Sequence, residues 1–317
     1  MKNLKYLLCV LPLLSLNSSA AERSSNYTAI TNPKVIDFIN TFSKQGIYSK
    51  SELEHIFKQT KIEQKKVKKQ QSNQAEKKLT WEDYQKRVVT NTRIAAGKGF
   101  LKTHSDLLEK AEKQFNVNKE VIVAILGVET NYGFSKGKFR AIDALSTLSF
   151  EYYPRRDFFR KELESLLILS KKNNTSPFDY QSSWAGAIGY PQFIPSSILA
   201  YGIDFDKDGK VDLSNSIADA IGSVGNYLNK HKFKKDSYYY EKLNLNGYNI
   251  KHSEGLKLDR DCKDIKLDDK YCLDRFKIFK LDDEYYVGGS NFYAITMYNR
   301  SNLYASAVLE IAKSLSN

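Results

Sequence analysis

Apolar residues recur at helical spacing along most of this chain. From position 33 to about 59 they predict two short helices separated by Gly46, the second opened by the capping box Ser51-Glu52-Leu53-Glu54. Further helices are predicted at about 158–169, 219–229 and 302–315. The pattern therefore predicts a mainly α-helical protein.

The most apolar predicted helix follows Asn118 as its N-cap and reads VIVAILGVETNYG. Apolar residues on every side of it indicate a buried central helix. Glu129 continues the stripe formed by Ile122, Ile125 and Leu126, which places a carboxyl group among apolar neighbours. Desolvation there raises the pKa of a carboxyl group, so that it can donate a proton and later take one back. A glutamate turned to solvent, or paired with an arginine, fits the same spacing.

Between 231 and 288 the pattern changes to Tyr, Leu and Ile alternating with Lys, broken by Asn-Gly and Gly-Gly turns. This predicts a small antiparallel β subdomain, which makes the fold α+β. The predicted organisation is a signal peptide at 1–21, a helical region with a Lys/Gln-rich linker at 22–80, a core at 81–230, the β subdomain at 231–288, and a segment completing the core and the helical domain at 289–317.

The N-terminus has the pattern of a secretory signal: two early lysines, an apolar run from 6 to 16, and small residues up to Ala20-Ala21. We expect cleavage there and an exported, soluble protein, although the run also fits an uncleaved anchor. A lipobox has its cysteine just after the apolar run, whereas the only early cysteine, Cys9, lies inside the run, so we expect no lipobox. Removal of Cys9 leaves Cys262 and Cys272, which an oxidising compartment favours as a disulfide.

The formal net charge of +12 falls to +10 once Lys2 and Lys5 leave with the signal peptide. With 41% hydrophobic residues the chain can bury a core, which excludes whole-chain disorder. The Lys- and Gln-rich stretch at 58–78 fits a polyanion-binding arm or a solvated linker, and it supports no claim of nucleic-acid binding. The basic charge suits an acidic polymer as partner, and also a merely biased composition.

A segment rich in aspartate fits the first nine positions of an EF-hand calcium loop, with Gly209 at the sixth. Asn215 takes the twelfth position, where the loop pattern has Glu. An Asp-rich surface turn is the alternative to a calcium site. The predicted ligands are Asp204, Asp206, Asp208, the backbone carbonyl of Lys210, and Asp212.

Two other segments carry candidate binding chemistry. In the glycine-rich stretch 183–195, Gly186 and Gly189 permit close backbone approach to a ligand, and Tyr190 and Phe193 offer faces for stacking on sugars. Tight helix–loop packing explains the same glycines. The arginine pair Arg155-Arg156 fits recognition of peptide carboxylates, and it fits equally the capping or salt-bridging of a neighbouring helix.

Three motifs, in order, resemble the membrane-bound lytic murein transglycosylase B family, and the resemblance runs from about position 33 to the C-terminus. They read ILGVETNYG at 125–133, SWAGAIGYPQFIPSS at 183–197 and NFYAITMYN at 291–299. The resemblance implies a lysozyme-like catalytic core at 81–230 flanked by a helical domain, and cleavage of peptidoglycan glycan strands.

Position by position, the resemblance places the catalytic acid/base on Glu129, and the closing acidic ligand of the calcium loop on Asp219 within 204–219. Where relatives have Tyr, this chain has Phe159. The predicted substrate-binding residues are Tyr84, Arg155, Arg156, Ser183, Gln192, Tyr227, Tyr298 and Asn299.

The resemblance implies chemistry with a single carboxylate, because the 6-hydroxyl of N-acetylmuramic acid serves as the nucleophile and closes a 1,6-anhydro ring. Asp143, Glu151 and Asp157 stay open as a second acid. A hydrolytic muramidase and a non-catalytic wall-binding protein are the alternative functions. A periplasmic monomer that acts on glycan strands, carries structural Ca²⁺ and works beside wall-synthesis or remodelling proteins completes the expectation.

Overall fold

The computed structural model describes residues 26–63, 79–235, 240–243, 253, 255–260 and 275–316. The predicted signal peptide, most of the Lys/Gln-rich linker, and the pair Cys262 and Cys272 lie outside the described residues. Within the described ranges, no helix is long and apolar enough to cross a bilayer.

Helices dominate these ranges, as the hydrophobic pattern predicts. The α-helices are Pro33–Phe42, Lys50–Gln59, Trp81–Val88, Asn91–Thr103, Ser105–Phe115, Lys119–Thr130, Ala141–Glu151, Arg156–Lys172, Pro195–Tyr201, Ile217–Lys230, Ser290–Tyr298 and Asn302–Ser316. Short 3-10 helices lie at Ala29–Thr31, Ser43–Gln45 and Tyr153–Arg155. The predicted helices at 158–169, 219–229 and 302–315 are therefore confirmed.

The chain forms two compact units. Described residues of the first unit come from 79–132 and from 224 onward, and those of the second from 26–63 and 133–223. The helix Ile217–Lys230 begins in the second unit and ends in the first. The domain limits drawn from the sequence pattern stay predictions.

The core of the first unit is the pair of helices Lys119–Thr130, called here the Glu129 helix, and Asn302–Ser316, called here the C-terminal helix. Residues 121–126 of the Glu129 helix are at most 1% exposed, which agrees with its unbroken apolar pattern. The C-terminal helix packs along it and also contacts the helices Trp81–Val88 and Asn91–Thr103.

The predicted β subdomain is a three-stranded antiparallel sheet in the first unit, with strands Tyr240–Lys242, Lys277–Leu281 and Glu284–Gly288 and the last of these in the centre. The turn between the strands Lys277–Leu281 and Glu284–Gly288 also contacts a helix. The carboxylate of Asp282 accepts hydrogen bonds from the backbone N–H groups of Trp81 (2.8 Å) and Glu82 (3.1 Å). An anionic cap on these unpaired N–H groups fixes the helix that carries Tyr84.

In the second unit the helices Ala141–Glu151 and Arg156–Lys172 pack against each other. Phe38, Phe42, Phe57 and Phe150 form an aromatic cluster with ring centroids 5.4–6.4 Å apart, which joins the two N-terminal helices to this pair. Two-stranded pairs, Asn26–Thr28 with Lys61–Glu63 and Phe139–Arg140 with Gln181–Ser182, complete the unit.

The capping box of the second helix lies two residues earlier than predicted. Ser49 is the N-cap, its hydroxyl accepts from Glu52 N, and the Glu52 carboxylate accepts from Ser49 N. Residues 49–52 and 51–54 both read Ser-x-x-Glu, so the motif alone does not decide between them. The helix begins at Lys50, and this leaves Ser51 inside its first turn.

Candidate functional site

Glu129 lies one residue before the end of its helix. The helix stops because Asn131 adopts a left-handed conformation (φ 50°), and its N–H bonds back to the carbonyls of Gly127 and Leu126. Residues 121–127 are buried, whereas Val128 and Glu129 keep partial exposure. Its carboxyl group is thus shielded, while the residue as a whole keeps some exposed surface.

Tyr304 from the C-terminal helix donates a hydrogen bond from Oη to Glu129 Oε1 at 2.6 Å. Burial raises the pKa of Glu129 from 4.5 to about 7, and the bond from Tyr304 opposes this rise. A carboxyl group with a pKa near neutrality holds its proton for part of the time at pH 7. It is therefore matched to both proton donation and proton acceptance.

Phenolic groups surround this carboxyl group. The rings of Tyr298 and Tyr304 stack with centroids 6.2 Å apart, and Tyr227 meets Tyr298 edge-on at 4.9 Å. Burial, followed by the charge of Glu129, raises the pKa of the hydroxyls of Tyr84, Tyr298 and Tyr304, so these stay neutral. No acidic side chain in the described part of the first unit contributes to the pKa shift of Glu129.

Among the buried polar atoms of this unit that have no hydrogen-bond partner in the described part of the chain are Tyr84 Oη and Asn299 Oδ1, together with Arg93 Nε and Ser306 Oγ. Tyr227, by contrast, uses its hydroxyl to donate to the Met297 carbonyl at 2.6 Å and stacks on His231. Buried polar atoms are normally satisfied, so a donor and an acceptor left open mark where a ligand can supply the missing bonds.

The three other acids that the sequence left open already have interactions in the second unit. Asp143 accepts two bonds from the Arg140 guanidinium, at 2.7 and 2.9 Å. Glu151 accepts from the hydroxyl of Tyr27 at 2.7 Å, and Asp157 is largely exposed. None of them has the apolar surroundings of Glu129.

Ser183 and Gln192 lie in one loop of the second unit. The Ser183 N–H donates to Ala187 O at 2.8 Å, and the Ser183 hydroxyl accepts from Ala187 N. Gln192 has a left-handed backbone (φ 50°), and its amide donates to the carbonyls of Gly189 (3.0 Å) and Lys136 (3.2 Å). Both side chains are partly exposed, so each keeps a surface for a ligand.

The glycines of this loop approach protein atoms. A Cβ on Gly189 (φ +73°) would lie 2.2 Å from Leu213 O, and one on Gly186 would lie 2.3 Å from the Leu145 side chain. The tight-packing interpretation of these glycines is therefore the one the geometry supports. Phe193 is only 3% exposed, so its predicted stacking on a sugar is wrong, because the ring belongs to the core.

The side chains of Arg155 and Arg156 have different surroundings. Arg155 lies over the rings of Phe158 (4.2 Å) and Phe159 (5.3 Å). Arg156 lines a cavity of about 410 Å³ together with Lys34, Asp37 and Arg160. Phe159 is buried beside Tyr152, where a tyrosine hydroxyl would need a polar partner.

The aspartate loop draws three carboxylates together. Oxygen atoms of Asp204, Asp206 and Asp219 lie within 4.8 Å of one another, and Asp219 is fully buried. Asp219 also accepts from Phe205 N (2.7 Å) and Asp212 N (2.8 Å), so its carboxylate ties the two ends of the loop together. The carboxylates of the remaining predicted acids, Asp208 and Asp212, accept backbone N–H groups of Lys210, Ser214 and Asn215.

Over residues 31–313 the sequence matches the family described as Transglycosylase SLT domain. The chain belongs to this transglycosylase family. It is 35% identical over 251 residues to membrane-bound lytic murein transglycosylase B of Escherichia coli K12, which covers 74% of this chain and 67% of that protein.

Two solved structures of the family are similar to this one. Soluble lytic transglycosylase SltB1 from Pseudomonas aeruginosa has a TM-score of 0.83 at 33% identity, covering 90% of this chain and 98% of that one. The Escherichia coli lytic transglycosylase Slt35, solved in complex with calcium, has a TM-score of 0.79 at 32% identity, covering 90% and 93%. The expected lysozyme-like, mainly helical fold is confirmed.

Sequence reasoning missed two residues of this transglycosylase. Tyr304 was missed because it lies in an apolar helical segment. A tyrosine among Ala and Val does indicate a buried hydroxyl that needs a hydrogen-bond partner. Glu162 is 3% exposed and accepts from Ser196 N (2.9 Å) and Ser196 Oγ (2.7 Å), at the start of the helix Pro195–Tyr201. Burial raises the pKa of Glu162, and the two bonds oppose the rise.

Proposed function

We propose that this protein is a lytic murein transglycosylase that cleaves the β-1,4 bond between N-acetylmuramic acid and N-acetylglucosamine in peptidoglycan and leaves a 1,6-anhydro end. The observation that carries the proposal is Glu129: a shielded carboxyl group with a pKa of about 7, set by burial and by the bond from Tyr304, with no contribution from a second acid in the described part of its unit. Hydrolytic glycosidases of the usual kind need two carboxylates.

The reaction begins with Glu129 protonated. It donates its proton to the glycosidic oxygen, the bond from that oxygen to C1 breaks, and the N-acetylglucosamine portion leaves with a hydroxyl group. The positive charge on the muramoyl ring is stabilised by its own N-acetyl group. Glu129, now ionised, takes the proton of the 6-hydroxyl as O6 bonds to C1, so the enzyme regains its proton and no water is consumed.

Uncharged polar side chains can stabilise the positive charge that develops on the muramoyl ring. Neutral phenols and amides supply dipoles without adding a permanent anion that would compete for the proton of Glu129. The open hydrogen-bonding atoms of Tyr84 and Asn299 support roles in holding the sugar. Tyr227, Tyr298, Ser183 and Gln192 complete the proposed sugar-binding set.

The peptide stem carries free carboxylates, and the arginine pair is the proposed site for them. Arg156 supports this role best, because the cavity that it lines also presents Lys34 and Arg160 against one acid, Asp37. An excess of cations in a concave site attracts an anionic ligand. Arg155 is held over two phenylalanine rings, so its proposed contribution is to position this segment.

We propose Ca²⁺ as a structural ion of the aspartate loop, held by carboxylates of Asp204, Asp206, Asp208, Asp212 and Asp219 and by the carbonyl of Lys210. Hard oxygen donors of this kind are the ligands that Ca²⁺ prefers, and three of the carboxylates already converge. The Escherichia coli Slt35 structure in complex with calcium supports the assignment. The bound ion would neutralise the clustered charges. The loop adjoins the Gln192 segment, because Tyr190 N donates to Leu213 O.

The proposed location is the periplasm after removal of residues 1–21, with Cys262 and Cys272 joined as a disulfide. A monomer acting on glycan strands, beside proteins that build or remodel the wall, is the proposed working state. The relative from Escherichia coli is named as membrane-bound.

Digestion of purified sacculi in ¹⁸O-labelled water, followed by mass spectrometry of the released muropeptides, tests the proposed function. A lytic transglycosylase releases muropeptides with anhydro ends, one water lighter than the reducing form and free of ¹⁸O. Reducing ends that carry ¹⁸O would establish the hydrolytic muramidase instead. Binding of sacculi without release of any muropeptide would establish a wall-binding protein.

A further inference from the structure

Lys277 is a fully buried lysine of the first unit. Fully buried lysines are rare, because an ammonium group loses its hydration and must find partners inside the protein. Lys277 lies on the strand Lys277–Leu281, and the neighbouring Phe276 and Ile278 are buried as well. A leucine or methionine would fill such a position without the cost of desolvating a charge.

The ammonium group of Lys277 joins three separate parts of the first unit. Its Nζ atom donates to the carbonyl of Gly255 at 2.6 Å and to Asn302 Oδ1 at 3.0 Å. It also lies 5.2 Å from the centre of the Phe279 ring. Burial lowers the pKa of Lys277 to about 8, and the nearby Asp259 carboxylate opposes that fall. Lys277 therefore holds the loop and the helix that begins at Asn302 to the sheet.

Asn302 is the first residue of the C-terminal helix, and Tyr304 comes two residues later. Tyr304 is fully buried, and its hydroxyl donates to Glu129 at 2.6 Å. The connection from Lys277 to Glu129 thus passes through one side-chain hydrogen bond, less than one helical turn and a second side-chain hydrogen bond. Small displacements of the helix start move the phenol directly, since a buried side chain has no room to compensate.

We propose that Lys277 is a positioning residue for the transglycosylase reaction: by anchoring Asn302 it sets the place of Tyr304, and through Tyr304 the proton affinity of Glu129. The proposal rests on the proposed function for its link to turnover. The charged or titratable groups that face Glu129 are Tyr84, Tyr298 and Tyr304, and Asp259 is the one that faces Lys277, among the described residues. The contacts of Lys277, with Gly255, Asn302 and Phe279, include none of the proposed substrate-binding residues.

Lys277→Met tests the proposal, with Lys280→Met as the matched control on the exposed side of the same strand. A displaced Tyr304 no longer favours the ionised form of Glu129. We expect the alkaline limb of the pH profile of kcat to move up by about half to one pH unit, with KM nearly unchanged. If Lys277 had only a structural role, Lys277→Met would lower the melting temperature and leave the alkaline limb of kcat at the same pH. That result would overturn the proposal. Lys280→Met should match the parent.

A double-mutant cycle with Tyr304→Phe makes the route explicit. If Lys277 acts through Tyr304, then Lys277→Met causes no further shift of the limb in the Tyr304→Phe background. A full additional shift there would overturn the proposal. Should Lys277→Met fail to fold, Asn302→Ala takes its place in the cycle, because it removes the anchor on the helix and leaves Lys277 bonded to Gly255.

The ¹³C titration of the Glu129 carboxyl carbon by NMR separates this proposal from the proposed function, because it requires no turnover. The pKa of Glu129 should rise in Lys277→Met and stay constant in Lys280→Met. An unchanged pKa in Lys277→Met overturns the positioning role, even if the parent releases anhydro-muropeptides. A raised pKa in a protein that releases none supports the positioning role and refutes only the proposed function.

Discussion

Tyr304 Oη and Glu129 Oε1 are 2.6 Å apart, although 175 residues separate them in the chain. Burial of Glu129 and its hydrogen bond with Tyr304 shift the pKa of Glu129 in opposite directions. Burial of Glu129 favours the neutral acid, whereas the bond from Tyr304 favours the carboxylate, and the outcome is a pKa of about 7. A group that must give a proton and then take one back needs such a balance.

Glu129→Gln should fold, bind glycan strands and lose turnover by a factor of about 10²–10⁴, because an amide supplies no acidic proton. Release of soluble muropeptides from sacculi measures the loss, and co-sedimentation with sacculi measures the retained binding. Asp143→Asn, which changes an acid already paired with Arg140, is the comparison for activity. Near-parental release by Glu129→Gln would assign the acid role to another residue.

The same substitution should change how stability depends on pH. The pKa of Glu129 is raised from 4.5 in the unfolded chain to about 7 in the folded one, so the parent loses stability as the pH rises through this window. Glu129→Gln has no such loss, and at pH 8 it should be more stable by at most about 3 kcal/mol. Below pH 4 the difference should vanish. Urea unfolding at the two pH values measures it, and equal stability at pH 8 would contradict the raised pKa.

Tyr304→Phe removes the hydrogen bond that favours the ionised form of Glu129. The pKa of Glu129 should therefore rise, and the alkaline limb of kcat should move to higher pH by about half to one unit. The pH profile of muropeptide release checks this. Tyr293→Phe, a partly exposed tyrosine of the same unit, is a matched loss of one hydroxyl and should leave the limb in place. A limb that moves to lower pH would reverse our assignment of this bond.

Calcium should raise the melting temperature of the parent protein, and Asp219→Asn should abolish most of that rise. A ligand that binds only the folded state stabilises it by mass action, and Asp219 is the buried member of the carboxylate cluster. Scanning calorimetry with Ca²⁺ and with a chelator provides the measurement. Asp106→Asn, an exposed acid outside the loop, should respond to calcium as the parent does. Melting of the parent that ignores chelator would refute the calcium site.

Gly189→Ala should destabilise the protein by at least about 1 kcal/mol, because φ is positive and the new Cβ would overlap Leu213 O. Gly99→Ala is the control: this glycine lies on an exposed helix face with open space around it, so the change should stabilise by up to about 1 kcal/mol. Urea denaturation midpoints measure both. A neutral Gly189→Ala would mean that the loop can retreat from Leu213.

Much of the fold followed from periodicity. The Glu129 helix, the C-terminal helix and the presence of a small β subdomain follow from patterns that repeat over a few residues, and local spacing is what a sequence displays directly. The turn of the hairpin lies at Asp282 and not at the predicted Gly-Gly pair, because Gly288 ends a strand and Gly289 is the N-cap of the next helix. The capping box was misplaced by two residues, since adjacent serines and glutamates offered equivalent starts. The short strand pair of Phe139–Arg140 with Gln181–Ser182 carries no signal in so few residues.

By itself the sequence determined that one carboxyl group sits in an apolar helix and that several aspartates share one loop, because neighbours along the chain stay neighbours in space. Only the tertiary structure decided that Tyr304 meets Glu129 and that Asp282 caps the helix of Tyr84. It also turned Phe193 and the glycines of its loop toward protein instead of ligand. Such pairings depend on how packing brings distant segments together, and no local pattern encodes that distance.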